Sequence, residues 1–466
     1  MLLSKLIEDY KGQDLEINKI TSNTKLVKQG DLFICIKGTK FDGHDLINEA
    51  IDNGAIFAIT SKEMDISIPY LKVKDTFEYS IDLYQKYYEN PQNKLKLIGV
   101  TGTDGKTTVT TIIQQLLTNS KCGYIGTNGY NCINYENINH VNTTPAPELM
   151  YEILSNFVEN GCEYASLEAS SEGFYYGRLN KLLFEVGIIT NISSDHLNTH
   201  KTIENYIECK KNLVRQSKMQ ILNSNDKYFE QFKIESKNYY TYGHNITDDL
   251  YIKSYSLNLK STDIQFIYEN IEYNISSPLI GKFNVDNICA ALLCLLKLGF
   301  KINDLLIRIP KLFIPGRMNF ISNKKDITIL LDYAHTTNAL TKLFEFISRQ
   351  DVNKMIVVFG KPGERDKQAR HEIGPVLEKY NDLVILTAQD ARSESVEDIN
   401  KDILKNVNDI SKFKEIVDRK KAIEYAINIA KPNDIVMVLG KGVENGLNIN
   451  GSIIDHNDLE EIKKNI

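Results

Sequence analysis

The segment GVTGTDGKTT at residues 99–108 restricts the possible folds of this chain more than any other. An apolar run before it predicts a buried strand, and the following TTVTTIIQQLL predicts a helix. A glycine-rich turn at the start of a helix directs backbone N–H groups at an anion, Lys106 adds a positive charge, and Thr107 is suited to bind Mg²⁺. The glycine spacing departs from the strict Walker pattern. The segment nevertheless predicts a phosphate-binding loop, and the alternative is a turn that binds nothing.

Length and composition limit the class of protein. A chain of 466 residues is too long for one hydrophobic core, which predicts two to four domains. The net charge of −6 gives no electrostatic reason to expect nucleic acid or an anionic membrane as a partner. The N-terminus lacks the apolar core of a signal peptide, and the seven cysteines form no metal-binding pair. We therefore expect a cytoplasmic, monomeric protein without membrane insertion and with no structural metal.

The order of predicted elements indicates an α/β protein of three domains. Residues 1–92 contain the strand DLFICIKG, the helix HDLINEAIDNG and the strand AIFAITS, and predict a small α/β domain that ends in a linker at ENPQNK. Residues 93–314 alternate strands with helices and predict a mostly parallel sheet, with an antiparallel edge between residues 235 and 280. Residues 315–466 begin a new series of strands and helices, which predicts a Rossmann-like domain.

Three residues of the central domain are candidates for chemistry. Glu168 ends a predicted strand, and His196 follows another, so both are placed to hold Mg²⁺. Glu168 is equally compatible with a solvated acid at a strand end, and a lone histidine is more often a hydrogen-bonded loop residue. Lys210 falls in the middle of the apolar stripe of a helix that Thr202 is predicted to cap. A lysine directed at the core is either chemically used or extends its amine to the surface, and the helix alone favours the second reading.

Charged residues also follow the strand ends of the third domain. Just past successive predicted strands lie Asp332 with His335, Arg365, Arg392 and Glu444. Arginine pairs with carboxylates and glutamate with ammonium groups, so such a rim is suited to a zwitterionic amino acid. Each residue alone is more often a surface charge, and the recurrence strengthens the prediction.

Taken in order, these segments resemble the Mur ligase family, and most closely its MurE type, which adds the third amino acid of the peptidoglycan stem peptide. The resemblance covers nearly the whole chain and is carried by GDLF…DGH, TGTDGKTT, NTTP, LEASS, TNISSDHL, GKFNVDN, PGRM, DYAHTTNAL, GERDK and GKGVE.

The resemblance implies a role for each matching residue. For ATP it implies Gly102, Thr103, Asp104, Gly105, Lys106, Thr107, Thr108, Asn284, Arg317 and Asp332. For two Mg²⁺ ions it implies Thr107, Glu168, His196 and Lys210 as a carbamate, with Lys106, Glu168, His196 and Lys210 as the catalytic set. For UDP-MurNAc-L-Ala-D-Glu it implies Thr24, Asn142, Thr143, Thr144, Ser170, Tyr176 and Arg178. For the amino acid it implies Arg365, Gln389, Asp390, Arg392, Gly440 and Glu444. A carbamate also explains why Lys210 faces inward.

The implied reaction forms an acyl phosphate from the D-Glu γ-carboxylate and ATP, after which an amine attacks and an amide forms. Several motifs depart from the family pattern: QDAR at 389–392 replaces DNPR, GKGVE replaces GKGHE, Asp104 replaces an Asn, Glu172 a His, and Tyr176 a Gln. The added diamino acid, meso-diaminopimelate or L-lysine, is therefore open. Alternatives are a family member acting on another carboxylate, as in folylpolyglutamate synthesis, a nucleotide-binding partner subunit without ligase activity, and a P-loop NTPase.

Overall fold

The computed structural model of the protein describes residues 1–8, 10–38, 41–118, 121–137, 142–193, 197–258, 260–316, 318–365 and 367–466. The chain forms two compact units. The first is Met1–Tyr251 with Asp286–Leu305, and the second is Ile252–Val285 with Leu306–Ile466. Within the described ranges, none of the helices combines the length and the apolar character that crossing a membrane requires.

The N-terminal part of the first unit is a small sheet of four parallel strands with helices packed on it. Its strands, in both chain and sheet order, are β1 (Ile20–Thr21), β2 (Asp31–Ile34), β3 (Ala55–Thr60) and β4 (Tyr70–Lys72). Its helices are α1 (Leu3–Leu6), α2 (Ile47–Asp52), α3 (Thr76–Tyr87) and α4 (Pro91–Lys94), with 3₁₀ turns at Thr24–Leu26 and Gly43–Leu46. The predicted strand, helix and strand of this region are confirmed. The predicted linker contains α4, because Pro91 occupies the first turn, where its missing N–H costs no hydrogen bond.

A larger sheet fills the rest of the first unit, and its last strand, β13, continues beyond Tyr251. Its strands are β5 (Lys96–Thr101), β6 (Cys122–Gly126), β7 (Gly129–Cys132), β8 (Tyr135–Asn137), β9 (Tyr164–Glu168), β10 (Phe184–Ile189), β11 (Ser217–Asn223), β12 (Tyr239–Gly243) and β13 (Leu250–Leu257), in the order β8-β7-β6-β9-β5-β10-β11-β12-β13. The strands from β6 to β13 pair in parallel, and β7 and β8 are antiparallel. The predicted antiparallel edge is therefore partly wrong, since β12 pairs in parallel on both sides.

The helices that follow these strands position the site. They are α5 (Lys106–Leu117), α6 (Pro147–Glu159), α7 (Ser171–Tyr175), α8 (Leu197–His200), α9 (Ile203–Arg215) and α10 (Phe229–Glu235), and the chain continues through α11 (Lys282–Lys297) and α12 (Ile302–Leu306). Helix α9 begins as predicted, since the Thr202 hydroxyl accepts the Asn205 N–H at 3.2 Å. Its buried face includes Tyr206, Leu213 and Lys210, so the predicted inward direction of Lys210 is confirmed.

The second unit is a doubly wound α/β layer. Its strands are β14 (Thr262–Tyr268), β15 (Ile271–Ser277), β16 (Asn319–Ile321), β17 (Thr328–Asp332), β18 (Met355–Phe359), β19 (Leu383–Leu386), β20 (Phe413–Glu415), β21 (Ile435–Leu439), β22 (Leu447–Ile449) and β23 (Ser452–Ile454). Its helices are α13 (Thr337–Ile347), α14 (Lys367–Tyr380), α15 (Val396–Leu404), α16 (Arg419–Ile429) and α17 (Asp458–Lys464), with 3₁₀ turns at Ile309–Lys311 and Ile410–Lys412. β14 and β15 form an antiparallel pair, as do β22 and β23, and the main sheet has the order β16-β17-β21-β18-β19-β20.

Helices cover both faces of this main sheet, which explains why its strands are continuous apolar runs. Alternate residues of one strand enter different cores: Leu330 packs on one face, while Ile329 and Leu331 pack on the other. Strand β18 divides in the same way, with Val357 on the first face and Val358 on the second. The predicted Rossmann-like arrangement of this region is confirmed.

Candidate active site

The predicted phosphate loop lies between β5 and α5. Gly105 has a φ of +85° immediately before α5, and Gly102 lies where a Cβ would be 1.9 Å from the Thr190 hydroxyl. Thr107 and Thr108 stand buried in the first turn of the helix. The backbone N–H groups of the loop and of this helix start can therefore approach an anion closely.

The segment after β10 forms hydrogen bonds that hold this loop in place. Of this segment, only His196 was predicted to be functional. Asp104 donates its N–H to the Asn191 amide oxygen at 3.1 Å, and its carbonyl accepts the Thr190 hydroxyl at 2.6 Å. Thr103 donates its N–H to the Asn191 carbonyl at 2.7 Å. These bonds hold the loop in shape; the two residues that supply them begin the TNISSDHL motif, but no role was predicted for them.

Two lysines meet at one carbonyl of the loop. The Lys106 amine donates to Gly102 O at 2.9 Å and to Thr103 O at 2.8 Å. The Lys210 amine donates to the same Gly102 O at 2.7 Å and lies 4.5 Å from the centre of the Tyr206 ring. Lys210 is only 1% exposed, so the helix places it beneath the phosphate loop instead of extending it to solvent.

Glu168 lies buried at the end of β9, where it pairs with Val100 of β5 just before the loop. Its Oε1 accepts the Tyr124 hydroxyl at 3.0 Å and the Thr127 N–H at 2.8 Å, and its Oε2 accepts the Thr127 hydroxyl at 3.2 Å. Tyr124 and Thr127 come from the end of β6 and were not predicted. Hydrogen bonds of this kind make a buried carboxylate tolerable.

The NTTP segment reaches the same edge of the sheet. The Thr143 hydroxyl lies 3.1 Å from that of Thr127, and the Thr144 hydroxyl donates to the Glu168 carbonyl at 2.7 Å. The Ser170 hydroxyl lies 2.8 Å from that of Thr144, and the Arg178 guanidinium donates to the Thr144 carbonyl at 3.1 Å. The structure thus brings together predicted residues that are far apart in the chain.

The remaining residues predicted for the nucleotide-linked peptide are more dispersed. Asn142 is exposed, and the Tyr176 ring lies 5.4 Å from the Arg178 guanidinium. Thr24 is buried in the small domain, where the neighbouring Ser22 donates its N–H to the Glu148 carboxylate at 3.3 Å. Burial raises the pKa of Glu148, a residue on α6 that the sequence analysis missed.

In the second unit, residues after β19 and β21 form one cluster. The Gln389 amide donates to Gly440 O at 2.7 Å. The buried Lys441 amine lies 3.2 Å from an Asp390 carboxylate oxygen and 3.8 Å from Glu444. Lys441 was not predicted, although a lysine between two glycines after an apolar strand marks it in the sequence. The cluster combines one buried cation with two carboxylates.

The predicted arginines lie on neighbouring loops of the same unit. Arg392 lies 3.8 Å from the Glu364 carboxylate. Arg365, which follows Glu364 in the chain, is exposed. Asp332 accepts the N–H groups of Met318 at 2.6 Å and Ala334 at 2.7 Å, so its carboxylate positions backbone around the end of β17.

Asn284 donates to the Ile280 carbonyl at 2.8 Å at the start of α11. A later residue of the same motif, Asn287, lies against the phosphate loop: a Cβ on Gly105 would be 2.4 Å from its amide oxygen. Asn287 is therefore a further candidate for the nucleotide site, and it was not predicted from the sequence.

Two predicted residues, His196 and Arg317, lie outside the described residues. Within the part of the chain that the structure describes, no group of three or more His, Cys, Asp or Glu side chains is placed to hold a metal ion. The Glu168 carboxylate and the Thr107 hydroxyl are among the hard oxygen donors near the loop, and they are of the type that Mg²⁺ prefers.

A strand, a glycine-rich loop and a helix that starts with Lys106, beside a buried acid on the next strand, define a P-loop enzyme of the nucleotide-binding α/β class. Comparisons with known proteins narrow this class. Family descriptions match along the chain: "Mur ligase family, catalytic domain" at residues 16–98, "Mur ligase middle domain" at 100–295, and "Mur ligase, glutamate ligase domain" at 316–442.

Among curated relatives, a UDP-N-acetylmuramyl-tripeptide synthetase of Borreliella afzelii is 35% identical over 484 residues, covering 99% of this chain and 96% of its own. A UDP-N-acetylmuramoyl-L-alanyl-D-glutamate–2,6-diaminopimelate ligase of Aquifex aeolicus is 35% identical over 470 residues, covering 100% and 95%. A solved structure of a ligase with the same name has a TM-score of 0.70 at 28% identity, covering 100% of this chain and 98% of its own. The chain belongs to the Mur ligase family. It is an ATP-dependent ligase that forms amide bonds.

Proposed function

We propose that this ligase joins a diamino acid to the D-Glu γ-carboxylate of UDP-MurNAc-L-Ala-D-Glu in peptidoglycan biosynthesis, with conversion of ATP to ADP and phosphate. The observation that carries the proposal is the meeting of the phosphate loop, Glu168 and the NTTP segment at one edge of the sheet, linked through the Thr127 hydroxyl. The names of the full-length relatives support the choice of substrate.

In the first half of the proposed reaction, a γ-carboxylate oxygen of the substrate attacks the γ-phosphorus of ATP, and the bond to the β-phosphate oxygen breaks. Lys106 lies at the helix start, where its amine would exchange the loop carbonyls for phosphate oxygens. Thr190 and Asn191 hold the loop in shape, and the N–H groups at the start of α5 would bind the same phosphates. These groups offset negative charge as it develops in the transfer.

The residues at the loop also fit Mg²⁺. Glu168, Thr107 and a carbamate on Lys210 would hold it, with His196 as a further ligand, and a bound Mg²⁺ supplies positive charge to the phosphates. The observation that favours this fit is the position of Lys210, which is buried among loop atoms that lie next to the expected phosphates. A carbamate there would convert a hydrogen-bond donor into an anionic oxygen ligand.

In the second half, the incoming amine attacks the acyl carbon, and the tetrahedral intermediate releases phosphate as the amine loses its proton. Arg392 and Arg365 would bind carboxylate groups of the amino acid, and Glu444 its ammonium group. Lys441 lies between Asp390 and Glu444, so it would set the direction of both carboxylates.

We further propose that residues 1–92, 93–314 and 315–466 act as three domains. The first, with Thr24, would bind the nucleotide-linked sugar. The second would transfer the phosphate, with Thr143, Thr144, Ser170 and Arg178 on the peptide. The third would supply the amino acid.

The test is a screen of meso-diaminopimelate, L-lysine and L-ornithine with UDP-MurNAc-L-Ala-D-Glu, ATP and Mg²⁺. We expect one amino acid to give equal amounts of phosphate and of a tripeptide product that mass spectrometry identifies. Lys106→Met serves as the control and should lose about a hundredfold or more of the rate. ATP hydrolysis that needs neither the dipeptide nor an amino acid would contradict the proposal and indicate a P-loop NTPase.

A further inference from the structure

The loops that follow β18 and β19 are in direct backbone contact. Gly363 donates its N–H to the Asp390 carbonyl at 3.0 Å. A Cβ at Gly363 would lie 1.9 Å from the Ala391 carbonyl oxygen. The first loop contains Arg365 and the second contains Arg392, so the relative placement of these two arginines depends on how the loops are joined.

A fully buried arginine joins them. Arg370 of α14 is 0% exposed and forms a two-pronged ion pair with Glu394, at 2.7 Å and 2.8 Å. The same guanidinium donates to the Pro362 carbonyl at 3.2 Å. Glu394 lies on the second loop and Pro362 on the first, so one rigid, charged group contacts both.

The contact continues from Glu394 to Arg392. The Glu394 carboxylate also accepts the Glu364 N–H. The Glu364 carboxylate in turn accepts the Ser393 hydroxyl at 2.8 Å and lies 3.8 Å from the Arg392 guanidinium. Hydrogen bonding from Arg370 lowers the pKa of Glu394 to about 2, so this carboxylate is ionised throughout the neutral range.

The backbone of both loops needs such support. Glu364 has a φ of +56°, Asp390 of +39° and Arg392 of +56°. These left-handed conformations are unfavourable for residues with a side chain and persist where surrounding contacts fix them. Besides the hydrogen bond from Gly363 to Asp390, the ion pair is a contact of a buried side chain with both loops.

We propose that the Arg370–Glu394 pair positions Arg392 and thereby sets the affinity of the enzyme for its amino-acid substrate. The inference rests on the proposed function, because it assumes that Arg392 binds the amino acid. Arg370 is buried and does not reach a substrate, so it is a positioning residue. It acts by holding the second loop at a fixed place relative to the first.

The chain offers a matched control. Asp402 accepts a hydrogen bond from the same Arg370 guanidinium at 3.1 Å, but it belongs to α15 and lies outside both loops. Glu394→Gln and Asp402→Asn each neutralise one carboxylate partner of one buried arginine. Both variants should lower the thermal midpoint, and only the first alters the connection between the loops.

We expect Glu394→Gln to raise the amino-acid KM about tenfold while the ATP KM changes less than about twofold, and Asp402→Asn to leave both within about twofold. Equal increases in the two variants, or no increase in Glu394→Gln, would overturn the proposal. If Glu394→Gln fails to fold, Glu394→Asp decides in its place, since it keeps the charge but shortens the side chain that reaches Arg370, and the same rise in the amino-acid KM is expected.

Hydrogen exchange distinguishes a failure of this proposal from a failure of the proposed function. Peptides covering both loops should exchange at least about fivefold faster in Glu394→Gln than in Asp402→Asn, whether or not the enzyme ligates an amino acid. If the two variants show this difference but the wild-type enzyme does not ligate an amino acid, the proposed function is refuted and the positioning role of the pair is kept. A ligating enzyme without the exchange difference would refute the pair alone.

Discussion

At the scale of single residues, the arrangement around Gly102 is the most informative. Both Lys106 and Lys210 donate to this carbonyl, at 2.9 Å and 2.7 Å, which places two amines where ATP phosphates are expected. Lys106 begins the helix, so its role in binding phosphate follows from the motif. Lys210 instead comes from the buried face of α9, and its amine contacts the loop carbonyl and the ring of Tyr206.

Replacement of Lys210 tests whether its amine is used chemically. We expect Lys210→Ala to reduce the ligation rate about a hundredfold or more, because the carbamate that would hold Mg²⁺ beside the transferred phosphoryl group is lost. A small carboxylate or bicarbonate in the buffer should partly restore activity if the amine acts as a carbamate. The adjacent Lys211→Ala is the control, since Lys211 pairs with Glu208 at 3.7 Å on the edge of the same helix. An active Lys210→Ala variant that bicarbonate does not affect would exclude the carbamate.

At the scale of elements, parallel strands end side by side and so gather residues that are distant in the chain. Glu168 of β9 pairs with Val100 of β5, and Thr101 of β5 pairs with Ile189 of β10. The loop after β6 lies at the same edge, where Thr127 contacts both Glu168 and Thr143. This hydroxyl therefore connects the expected phosphate site with the expected peptide site.

Thr127→Val keeps the shape of the side chain and removes the hydroxyl. The buried Glu168 carboxylate then loses one of its donors, so we expect a loss of about 1–3 kcal/mol in unfolding free energy. We also expect a rise of about tenfold in the KM for the nucleotide-linked dipeptide, with the amino-acid KM unchanged. Thr76→Val is the control: its buried hydroxyl donates to the Cys35 carbonyl at 2.9 Å in the small N-terminal sheet. Similar KM values in the two variants would remove Thr127 from the site.

At the scale of the whole molecule, each unit has its own stabilising interior. The second unit contains a buried ion pair in which Arg419 donates to Asp458 at 2.8 Å and 2.7 Å. The same guanidinium donates to the Leu439 carbonyl at 2.9 Å, directly before Gly440. Stability and the amino-acid cluster are thus connected through one side chain. Breaking such a pair by removing one partner typically costs about 3–5 kcal/mol.

This pair predicts a pH dependence of stability. Burial raises the pKa of Asp458, but the charge and hydrogen bonds of Arg419, together with the hydrogen bond and charge of His456, outweigh it and lower the pKa to about 2, from an ordinary value of 3.8. A lowered folded-state pKa adds stability that is complete above pH 4 and is lost as the pH falls towards 2. We expect the contribution lost to be about 2 kcal/mol in unfolding free energy.

Urea unfolding followed by circular dichroism between pH 5 and pH 2 measures this contribution of Asp458 to the unfolding free energy. Asp458→Asn should be less stable at pH 5 and should show a shallower decline with falling pH than the wild type. Parallel declines in the two proteins would mean that Asp458 is not the responsible group.

Much of the fold was predictable from the sequence because it depends on neighbouring residues. Apolar runs gave the strands of both large sheets, the glycine-rich turn gave the phosphate loop, and Thr202 with the stripe of α9 gave the inward direction of Lys210. The parallel pairing of β12 was not predicted, since its short alternating pattern suits either pairing direction.

Sequence alone thus determined the elements, the loop chemistry and, through an ordered set of motifs, the family. Only the tertiary structure decided which side chains meet: Thr127 with Glu168, Lys441 with Asp390, and Arg370 with Glu394. The physical reason is that each of these contacts joins residues tens of positions apart, and strand order, which local periodicity does not encode, decides which strand ends become neighbours.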